Sequence, residues 1–238
     1  MERPTFVNSE VYHIYSRGVE KRNIFTSDKD RFRFVYDIFE FNDKAPALNT
    51  GYHLNLSKSD FNRLNRLRRP RESLVETLCF CLMPNHYHLL LRPNYFNAKY
   101  DRVGPLFQGK FKAVHVHKEP HLLYLPHYIH LNPLDMYMPE WRDRKVKNIR
   151  GALGFLESYR WSSYLDYAGK SNFPSVTQRD FILKMYGNST SIDYCEEMQG
   201  WLNDFDLISL EGVTFEPLKK ITEDYRSPTS IGVRNLIA

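Results

Sequence analysis

The chain has 238 residues, of which 42% are hydrophobic and 15% aromatic, with a formal net charge of +5 and a pI near 9.0. This length accommodates one well-packed domain with appendages. No apolar run reaches the about eighteen residues of a membrane span, and the first residues lack the apolar core of a secretory signal. The three cysteines form neither a CxxC redox pair nor a disulfide framework. We therefore expect a folded cytoplasmic protein with no membrane partner.

Positive charge is concentrated in the first three quarters of the chain. Residues 185–238 carry nine acidic and four basic side chains, a net charge of −5, which leaves +10 for residues 1–184. A basic body of this kind favours a nucleic-acid partner, although runs of Lys and Arg are also common on solvated faces. Two basic clusters stand out, one at Arg63, Arg66, Arg68, Arg69 and Arg71 and one at Arg142, Arg144, Lys145, Lys147 and Arg150.

The residue pattern predicts strands and helices in an α+β order. Aromatic and β-branched residues indicate a strand at 11–19, and apolar residues three and four apart indicate a helix that begins at Ser27 or Asp28 and ends near 41. The pattern then predicts a short helix at 59–69, a hairpin of strands 74–83 and 86–92, a strand at 110–117 and a helix at 119–132 that Pro126 kinks or restarts. An antiparallel sheet packed on helices follows from this order.

The remaining segments are assigned by composition. Residues 149–170 are aromatic and are expected to pack on the sheet, and residues 175–216 are expected to be mainly helical. We predict one domain at 1–174, with a basic insertion at about 44–72, and an acidic extension at 175–238 that either covers the basic groove or is a structural appendage. Only seventeen residues separate Arg92 from Lys110. A sheet crossover usually needs a dozen or more residues and a helix, so this connection predicts a short helix at about 95–100 or a segment missing from the sequence.

A histidine pair follows the turn of the predicted hairpin. Side chains alternate along a strand, so His86 and His88 face one way and Tyr87 the other. Two imidazoles roughly 7 Å apart along a strand can converge on one metal ion. The alternative is a hairpin whose histidines merely lie on a solvated face.

A second pair of polar residues lies on the predicted helix before Pro133. Tyr128 and Asn132 are four residues apart, so both side chains share one helix face. The Asn132 oxygen could then complete a metal site beside the Tyr128 hydroxyl. The alternative is a core tyrosine next to a helix-ending asparagine. A rival metal pair, His115 and His117, lacks the hairpin context.

Four blocks of sequence together resemble the single-tyrosine HUH transposases, particularly the REP-associated tyrosine transposases. The blocks are Met-Pro-Asn-His-Tyr-His-Leu-Leu-Leu at 83–91, Phe-Gln-Gly-Lys-Phe-Lys at 107–112, Tyr-Ile-His-Leu-Asn-Pro at 128–133 and Tyr-Arg-Trp-Ser-Ser-Tyr at 159–164. The resemblance covers residues 9–170. It implies a ferredoxin-like or RRM-like sheet of the HUH transposase fold and a single-stranded DNA substrate that bears a REP-like hairpin. It also implies that Tyr128 is the nucleophile, His86 and His88 are metal ligands, and Asn132 is the third ligand.

These residues suit a divalent ion and phosphoryl transfer. Two neutral imidazoles and one amide favour Mg²⁺ or Mn²⁺, and zinc is not expected because no thiolate or third histidine closes the shell. We expect DNA contacts from the basic residues Arg63, Arg66, Arg68, Arg69, Lys110 and Lys112. A tyrosine nucleophile conserves the phosphodiester as a 5′-phosphotyrosine, which predicts an HUH endonuclease and strand transferase that acts in DNA transposition or recombination. The alternatives are a non-catalytic DNA or RNA hairpin-binding regulator and metal-dependent hydrolysis by water. The sequence leaves monomer and homodimer open.

Overall fold

The computed structural model describes residues 4–44, 71–94, 111–143, 146–186 and 191–203. The chain divides into two compact units, 1–206 and 207–238, and every described residue belongs to the first. The predicted helices at 59–69 and 95–100 and the predicted acidic segment beyond 203 lie outside the described residues. The predicted division at 174/175 stays a prediction. In the described part of the chain, no helix combines the length and the apolar character needed to cross a membrane.

The described residues form four strands, with α-helices both between strands and after the last one. The strands are β1 (Val11–Arg17), β2 (Val75–Met83), β3 (His86–Pro93) and β4 (Lys112–Val116). The described α-helices are α1 (Asp28–Glu40), α2 (Glu119–Leu131), α3 (Ile149–Ser158), α4 (Tyr164–Tyr167), α5 (Asp180–Met185) and α6 (Ser191–Asn203). The 3₁₀ turns are Val19–Lys21, Asn132–Met136 and Pro139–Asp143.

The four strands form one antiparallel sheet in the order β2-β3-β1-β4. This is the strand order of the βαββαβ ferredoxin-like arrangement, in which β1 lies between the third and fourth strands. The predicted α+β class and antiparallel sheet are therefore confirmed. The crossover between β3 and β4 spans residues 95–110, which lie outside the described residues.

The first helix begins where the sequence places it. Ser27 caps α1 with a capping box: Asp30 N–H donates to the Ser27 hydroxyl, and the Asp30 carboxylate accepts from the Ser27 backbone N–H at 2.8 Å. One face of α1 contributes Val35 and Ile38 to the main core cluster. The apolar spacing of residues three and four apart thus predicts the helix face that is buried.

The two faces of the sheet carry different residues because side chains alternate along each strand. On β3, Tyr87, Leu89 and Leu91 belong to the core cluster that also contains the α1 residues. The alternate residues His86 and His88 must therefore lie on the opposite face, where α2 packs. This alternation places the histidine pair beneath the helix that carries Tyr128.

Helix α2 continues through Pro126, so the helix does not restart there, and a kink at Pro126 stays a prediction. His130 of α2 contacts two neighbouring elements. Its Nδ1 is 2.6 Å from the Tyr194 hydroxyl of α6, and its Nε2 is 2.7 Å from the Ser163 hydroxyl. All three side chains are buried. This network connects α2 to the sheet and to α6. It fixes the position of the helix on the sheet face that carries His86 and His88.

The aromatic segment 149–170 packs on the sheet, as predicted. The Tyr159 hydroxyl donates to the Leu82 carbonyl at 2.6 Å, and the Tyr167 hydroxyl donates to the Leu78 carbonyl at 2.8 Å. Trp161 and Tyr164 are buried. These aromatic residues therefore stabilise the edge strand β2 by hydrogen bonds and apolar contact.

Candidate active site

The fold brings together the four residues that the sequence singled out. His86 and His88 come from β3, and Tyr128 and Asn132 come from the end of α2. The ring centroids of His86 and His88 are 5.2 Å apart, and those of His88 and Tyr128 are 5.6 Å apart. His86 Nε2 lies 3.5 Å from Asn132 Oδ1. The roles that the resemblance implies for these residues stay predictions.

The contact with Asn85 favours the His86 tautomer that carries its proton on Nδ1. Asn85 Nδ2 donates to the Lys21 carbonyl at 3.3 Å, which turns Asn85 Oδ1 toward His86 Nδ1 at 2.6 Å. An amide oxygen can only accept, so Nδ1 must donate. Burial lowers the pKa of His86 to about 3, which keeps the imidazole neutral with a single proton. Its Nε2 is then the acceptor nitrogen of the ring.

The Asn132 amide is oriented by its own helix. Asn132 Nδ2 donates to the Tyr128 carbonyl at 2.7 Å, so Oδ1 is the atom that faces His86. Two acceptors, His86 Nε2 and Asn132 Oδ1, thus confront each other in a buried position. Such a pair requires a positive charge or a donor nearby, because an unpaired buried acceptor loses its hydration without compensation.

Arg142 supplies a positive charge to these acceptors. Its Nη2 donates to Asn132 Oδ1 at 3.3 Å, and its Nε and Nη2 donate to the Asp135 carboxylate at 2.7 Å each. The guanidinium carbon lies 5.5 Å from the centre of the Tyr128 ring. The guanidinium is therefore a partly buried cation, paired with Asp135, close to Asn132 and to the Tyr128 ring.

His88 is partnered from the sheet side. Its Nδ1 lies 2.9 Å from Nε2 of His13, and the two rings are stacked with centroids 5.1 Å apart. Burial lowers the pKa of both imidazoles, to about 3 for His13 and well below the usual range for His88. Both rings are thus neutral, and one of the two facing nitrogens donates to the other.

Tyr128 is enclosed. Its side chain is 1% exposed, and among the described residues its hydroxyl has no hydrogen-bond partner of good geometry. Burial raises the pKa of Tyr128, while the positive charge of Arg142 lowers it. The ring packs against Tyr124, one turn earlier on α2, and against Trp141. A buried hydroxyl without a partner is costly to the fold and is typical of a functional group.

One separation in the site, between His86 Nε2 and Asn132 Oδ1, suits two ligands of a divalent ion. Two ligands bonded to one ion at about 2.1 Å and about 90–109° apart are separated by about 3.0–3.4 Å, close to the His86–Asn132 separation. The described ranges contain no group of three or more His, Cys, Asp or Glu side chains placed to hold a metal ion. An ion at this position would therefore rely on two imidazoles and the Asn132 amide, a donor set that leaves positions open for phosphate oxygens.

The predicted DNA-contact residues are only partly described. Arg63, Arg66, Arg68, Arg69 and Lys110 lie outside the described residues. Lys112 is exposed at the start of β4, and its register partner Tyr15 also pairs with His88, so all three lie in one row across the site face. Its ammonium is 5.7 Å from the Tyr15 ring.

The rival histidine pair lies elsewhere. His115 pairs with Tyr12 across β4 and β1, and Tyr12 belongs to the core on the α1 side. His115 Nε2 is 3.0 Å from the Glu10 carboxylate, and its ring centroid is 5.7 Å from that of His117. The structure thus places this pair on the sheet face away from Tyr128.

Three neighbours of the site were not predicted from the sequence as parts of it. They are Asn85, which immediately precedes His86, His13 of β1, and Arg142, which the sequence shows only as a member of a basic cluster. Alternation along β1 puts His13 and Tyr15 on the same face of that strand, and in the sheet this face also carries His88 of β3. This alternation was a usable sequence signal for His13. No comparable signal marks the inward turn of Arg142.

Comparisons with known proteins add a likeness of fold. No family model and no curated protein matches the chain. Among solved structures, the chain is similar to that of a REP-associated tyrosine transposase bound to a REP hairpin, with a TM-score of 0.40 and 11% sequence identity. The match covers 76% of this chain and 92% of that one. A likeness of this size carries no argument about the chemistry of the site.

Proposed function

We propose that the protein is a metal-dependent transposase that cleaves and rejoins hairpin-bearing, single-stranded DNA through Tyr128. One observation carries the proposal: the buried ring of Tyr128 lies 5.6 Å from that of His88, and Asn132, four residues later, lies 3.5 Å from His86. The four sequence blocks that resemble the single-tyrosine HUH transposases support the same assignment. Neither support depends on the likeness to the solved structure.

The chemistry follows from a tyrosine nucleophile. The Tyr128 oxygen attacks a DNA phosphorus, the new oxygen–phosphorus bond forms, and the bond to the 3′ oxygen breaks. The phenol gives up its proton, and the departing 3′ oxygen gains one. The product is a 5′-phosphotyrosine and a free 3′-OH, so the reverse reaction on another strand rejoins DNA without an external energy source.

Each site residue has a proposed role that suits its chemistry. His86 and His88 would hold a divalent ion, Mg²⁺ or Mn²⁺, together with the Asn132 oxygen. Bound there, such an ion supplies polarisation of the phosphate and stabilisation of the leaving oxygen. Arg142 lies within reach of Tyr128 and Asn132, and its charge suits a phosphate oxygen. Lys112, exposed on the same face, suits the phosphates of the flanking strand.

In the proposed reaction, we expect side chains of the 3₁₀ turn Pro139–Asp143 to move when DNA binds. Trp141 and Arg142 of this turn pack against Tyr128, whose side chain is 1% exposed. Because the Tyr128 side chain is buried, a DNA phosphate reaches its hydroxyl only if surrounding side chains move. We expect bound DNA to draw the Arg142 guanidinium from Asp135 to phosphate, since both partners are anions that accept in a forked geometry.

The same enclosure favours a second candidate function, a non-catalytic hairpin-binding regulator on the same fold. In that case the 3₁₀ turn stays closed and Tyr128 is a core residue. Hairpin DNA would then bind without any covalent product. Metal-dependent hydrolysis by water is the third possibility, and it would leave Tyr128 dispensable.

One experiment separates these functions. The protein is incubated with a set of hairpin-bearing single-stranded DNAs and Mn²⁺, and a denaturing gel is used to look for a protein–DNA adduct. The proposal predicts an adduct that is lost in Tyr128→Phe and kept in Tyr124→Phe, the matched variant one turn earlier on α2. Tight binding with no adduct on any DNA contradicts it and favours the regulator. Cleavage that survives in Tyr128→Phe favours hydrolysis.

A further inference from the structure

Tyr137 is a large aromatic residue on the surface next to the candidate active site. It follows the 3₁₀ turn Asn132–Met136, its backbone N–H donates to the Leu134 carbonyl at 3.0 Å, and its side chain is 49% exposed. Its ring lies parallel to that of Phe155 on α3, with centroids 4.9 Å apart and an interplanar angle of 7°. Neither side chain has a role in the proposed function.

A third ring extends this stack and anchors it to the sheet. The centroids of the Phe155 and Tyr159 rings are 6.4 Å apart with an interplanar angle of 21°, and the Tyr159 hydroxyl donates to the Leu82 carbonyl of β2 at 2.6 Å. We call the three residues Tyr137, Phe155 and Tyr159 the aromatic row. Tyr137 is its exposed end. A ring that is already held in place binds a further flat group at a small cost in conformational entropy.

The exposed end of the aromatic row lies close to Tyr128. The Asp135 carboxylate accepts hydrogen bonds from Trp141 and Arg142. Both of these side chains lie against the Tyr128 ring. Four residues span at most about 14 Å, so the Cα atoms of Tyr137 and Trp141 are no farther apart than that. One segment, 135–142, thus carries Tyr137 on the surface and lies against Tyr128 on its inner side.

Helix α3 and its flanking residues carry more exposed positive charge than negative charge. Lys147 and Arg150, at the start of α3, and Arg160, which follows the last ring of the row, are all exposed. Glu157, the acidic residue of α3, is already in an ion pair at 2.8 Å. Glu140 is exposed on the neighbouring 3₁₀ turn. Exposed cations beside an exposed aromatic ring are the combination that binds single-stranded nucleic acid, because the cations attract phosphates and the ring stacks on a base.

We propose that the ring face of Tyr137 opposite Phe155 is a stacking site for an unpaired base of the DNA strand that enters the candidate active site. This inference rests on the proposed function for its DNA, but it does not depend on cleavage. A base on Tyr137 extends the aromatic row by one flat group, and the backbone phosphates on either side of that base suit Lys147 and Arg150. Every base has a π-face, so this site holds the strand in place without reading its sequence.

The first test measures affinity for two hairpin DNAs, one with a single-stranded flank and one without, by fluorescence anisotropy in EDTA. Tyr137→Leu keeps an apolar contact with Phe155 but has no ring, so it should bind the flanked hairpin about tenfold more weakly and the blunt hairpin as the wild type does. Tyr137→Phe should bind both as the wild type does. The matched control is Phe41→Leu, because Phe41 is 48% exposed at the end of α1. No loss in Tyr137→Leu, or an equal loss for the two DNAs, overturns the proposal.

The second test detects the stacking itself. The fluorescent base 2-aminopurine, placed at each position of the flank in turn, is quenched when it stacks on an aromatic ring. One position should be quenched by the wild type and by Tyr137→Phe but not by Tyr137→Leu. A flank that is nowhere quenched, or quenching that persists in Tyr137→Leu, overturns the proposal. If Tyr137→Leu does not fold, photocrosslinking of a 5-iodouracil flank to the wild type decides, and crosslinks only at residues other than Tyr137 contradict the stacking site.

The outcomes distinguish this inference from the proposed function. A Tyr128 adduct together with unchanged affinity of Tyr137→Leu for the flanked hairpin overturns the stacking site and leaves the transposase intact. Flank-dependent loss of affinity in Tyr137→Leu with no adduct in any protein does the reverse and fits the non-catalytic regulator. If Tyr137→Leu changes self-association in analytical ultracentrifugation and leaves DNA binding unchanged, the ring belongs to a contact between copies of the chain and the stacking site is wrong.

Discussion

His86 Nε2 and Asn132 Oδ1 face each other at 3.5 Å, and both atoms are acceptors. Each is locked by a separate hydrogen bond, His86 by Asn85 and Asn132 by the Tyr128 carbonyl. The fold therefore holds two lone pairs together in a buried place, an arrangement that gains stability from a cation between or beside them. Arg142 provides positive charge in the described structure, and in the proposed function a divalent ion would supply it.

Asn132 is predicted to be a metal ligand, so replacing its amide by an apolar group or by a carboxylate should change the affinity for Mn²⁺. Asn132→Leu should abolish measurable Mn²⁺ binding, because it removes the oxygen and leaves only two imidazoles. Asn132→Asp should bind Mn²⁺ more tightly, because a carboxylate is the stronger ligand for hard divalent ions. Calorimetric titration with Mn²⁺ measures both. Unchanged affinity in Asn132→Leu would remove Asn132 from the site.

Tyr128→Phe is predicted to remove activity without loss of stability. The hydroxyl is buried and makes no hydrogen bond of good geometry with the described residues, so its removal should leave the free energy of unfolding nearly unchanged. Tyr167→Phe is the matched control, since its buried hydroxyl donates to the Leu78 carbonyl at 2.8 Å. That variant should lose about 1–2 kcal/mol. Urea unfolding of both variants measures the contrast, and an equal loss in the two would contradict it.

Arg142 is predicted to oppose metal binding in the absence of DNA. Its guanidinium donates to the Asn132 oxygen, so a divalent ion must displace it or bear its repulsion. Arg142→Gln should raise Mn²⁺ affinity by about tenfold, a small part of the Coulomb energy of charges this close at an effective dielectric near 20. The same variant should cleave DNA more slowly, because it loses a phosphate donor.

The control for Arg142 is Arg92→Gln. Arg92 pairs with Glu76 at side-chain exposures of 23% and 20%, close to the 17% and 21% of Arg142 and Asp135. It lies at the other end of β3, so its loss should leave Mn²⁺ affinity unchanged. Tighter binding in Arg92→Gln, or weaker binding in Arg142→Gln, would contradict the placement of the charge.

Buried histidines are predicted to make the protein acid-sensitive, and His127 isolates the effect away from the proposed ligands. Its ring stacks on Trp201 with centroids 4.5 Å apart, and burial lowers its pKa to about 3 from 6.5. Between these values the unfolded chain binds a proton that the folded protein does not. The free energy of unfolding should therefore fall as the pH drops below 6.5, by up to about 1.4 kcal/mol per pH unit from this group.

His127→Phe should remove that part of the slope. Urea unfolding between pH 5 and 7 should give a shallower pH dependence than for the wild type. Tyr186→Phe, which removes the hydroxyl 3.0 Å from His127 Nδ1 but keeps the imidazole, should lower stability without changing the slope. An unchanged slope in His127→Phe would show that the imidazole is not held neutral.

Sequence patterns within single strands and helices predict the α+β class and the candidate site residues. The contacts between residues on neighbouring strands do not follow from such patterns. The alternation of β3 and the four-residue spacing of Tyr128 and Asn132 are properties of one element each, so the sequence reveals them. The contact of His13 with His88 depends on the register of β1 against β3, seventy-five residues apart in the chain. No single-element periodicity contains that register.

Arg142 shows the second limit. In the sequence it is one of five basic residues within nine positions, which is typical of a solvated or phosphate-binding surface. In the structure it turns inward because Asp135, seven residues earlier, accepts both of its donors across the 3₁₀ turns. The direction of a long charged side chain is decided by such tertiary partners, and composition does not reveal it.

The central claim is that the Tyr128 oxygen becomes bonded to DNA. Its most direct test is mass spectrometry of the protein after incubation with hairpin-bearing single-stranded DNA and Mn²⁺, followed by nuclease and protease digestion. The account predicts a nucleotide attached through its 5′ phosphate to the peptide that contains Tyr128, and none attached at Tyr124. Attachment at another residue, or cleaved DNA with a free 5′ phosphate and unmodified Tyr128, would contradict it.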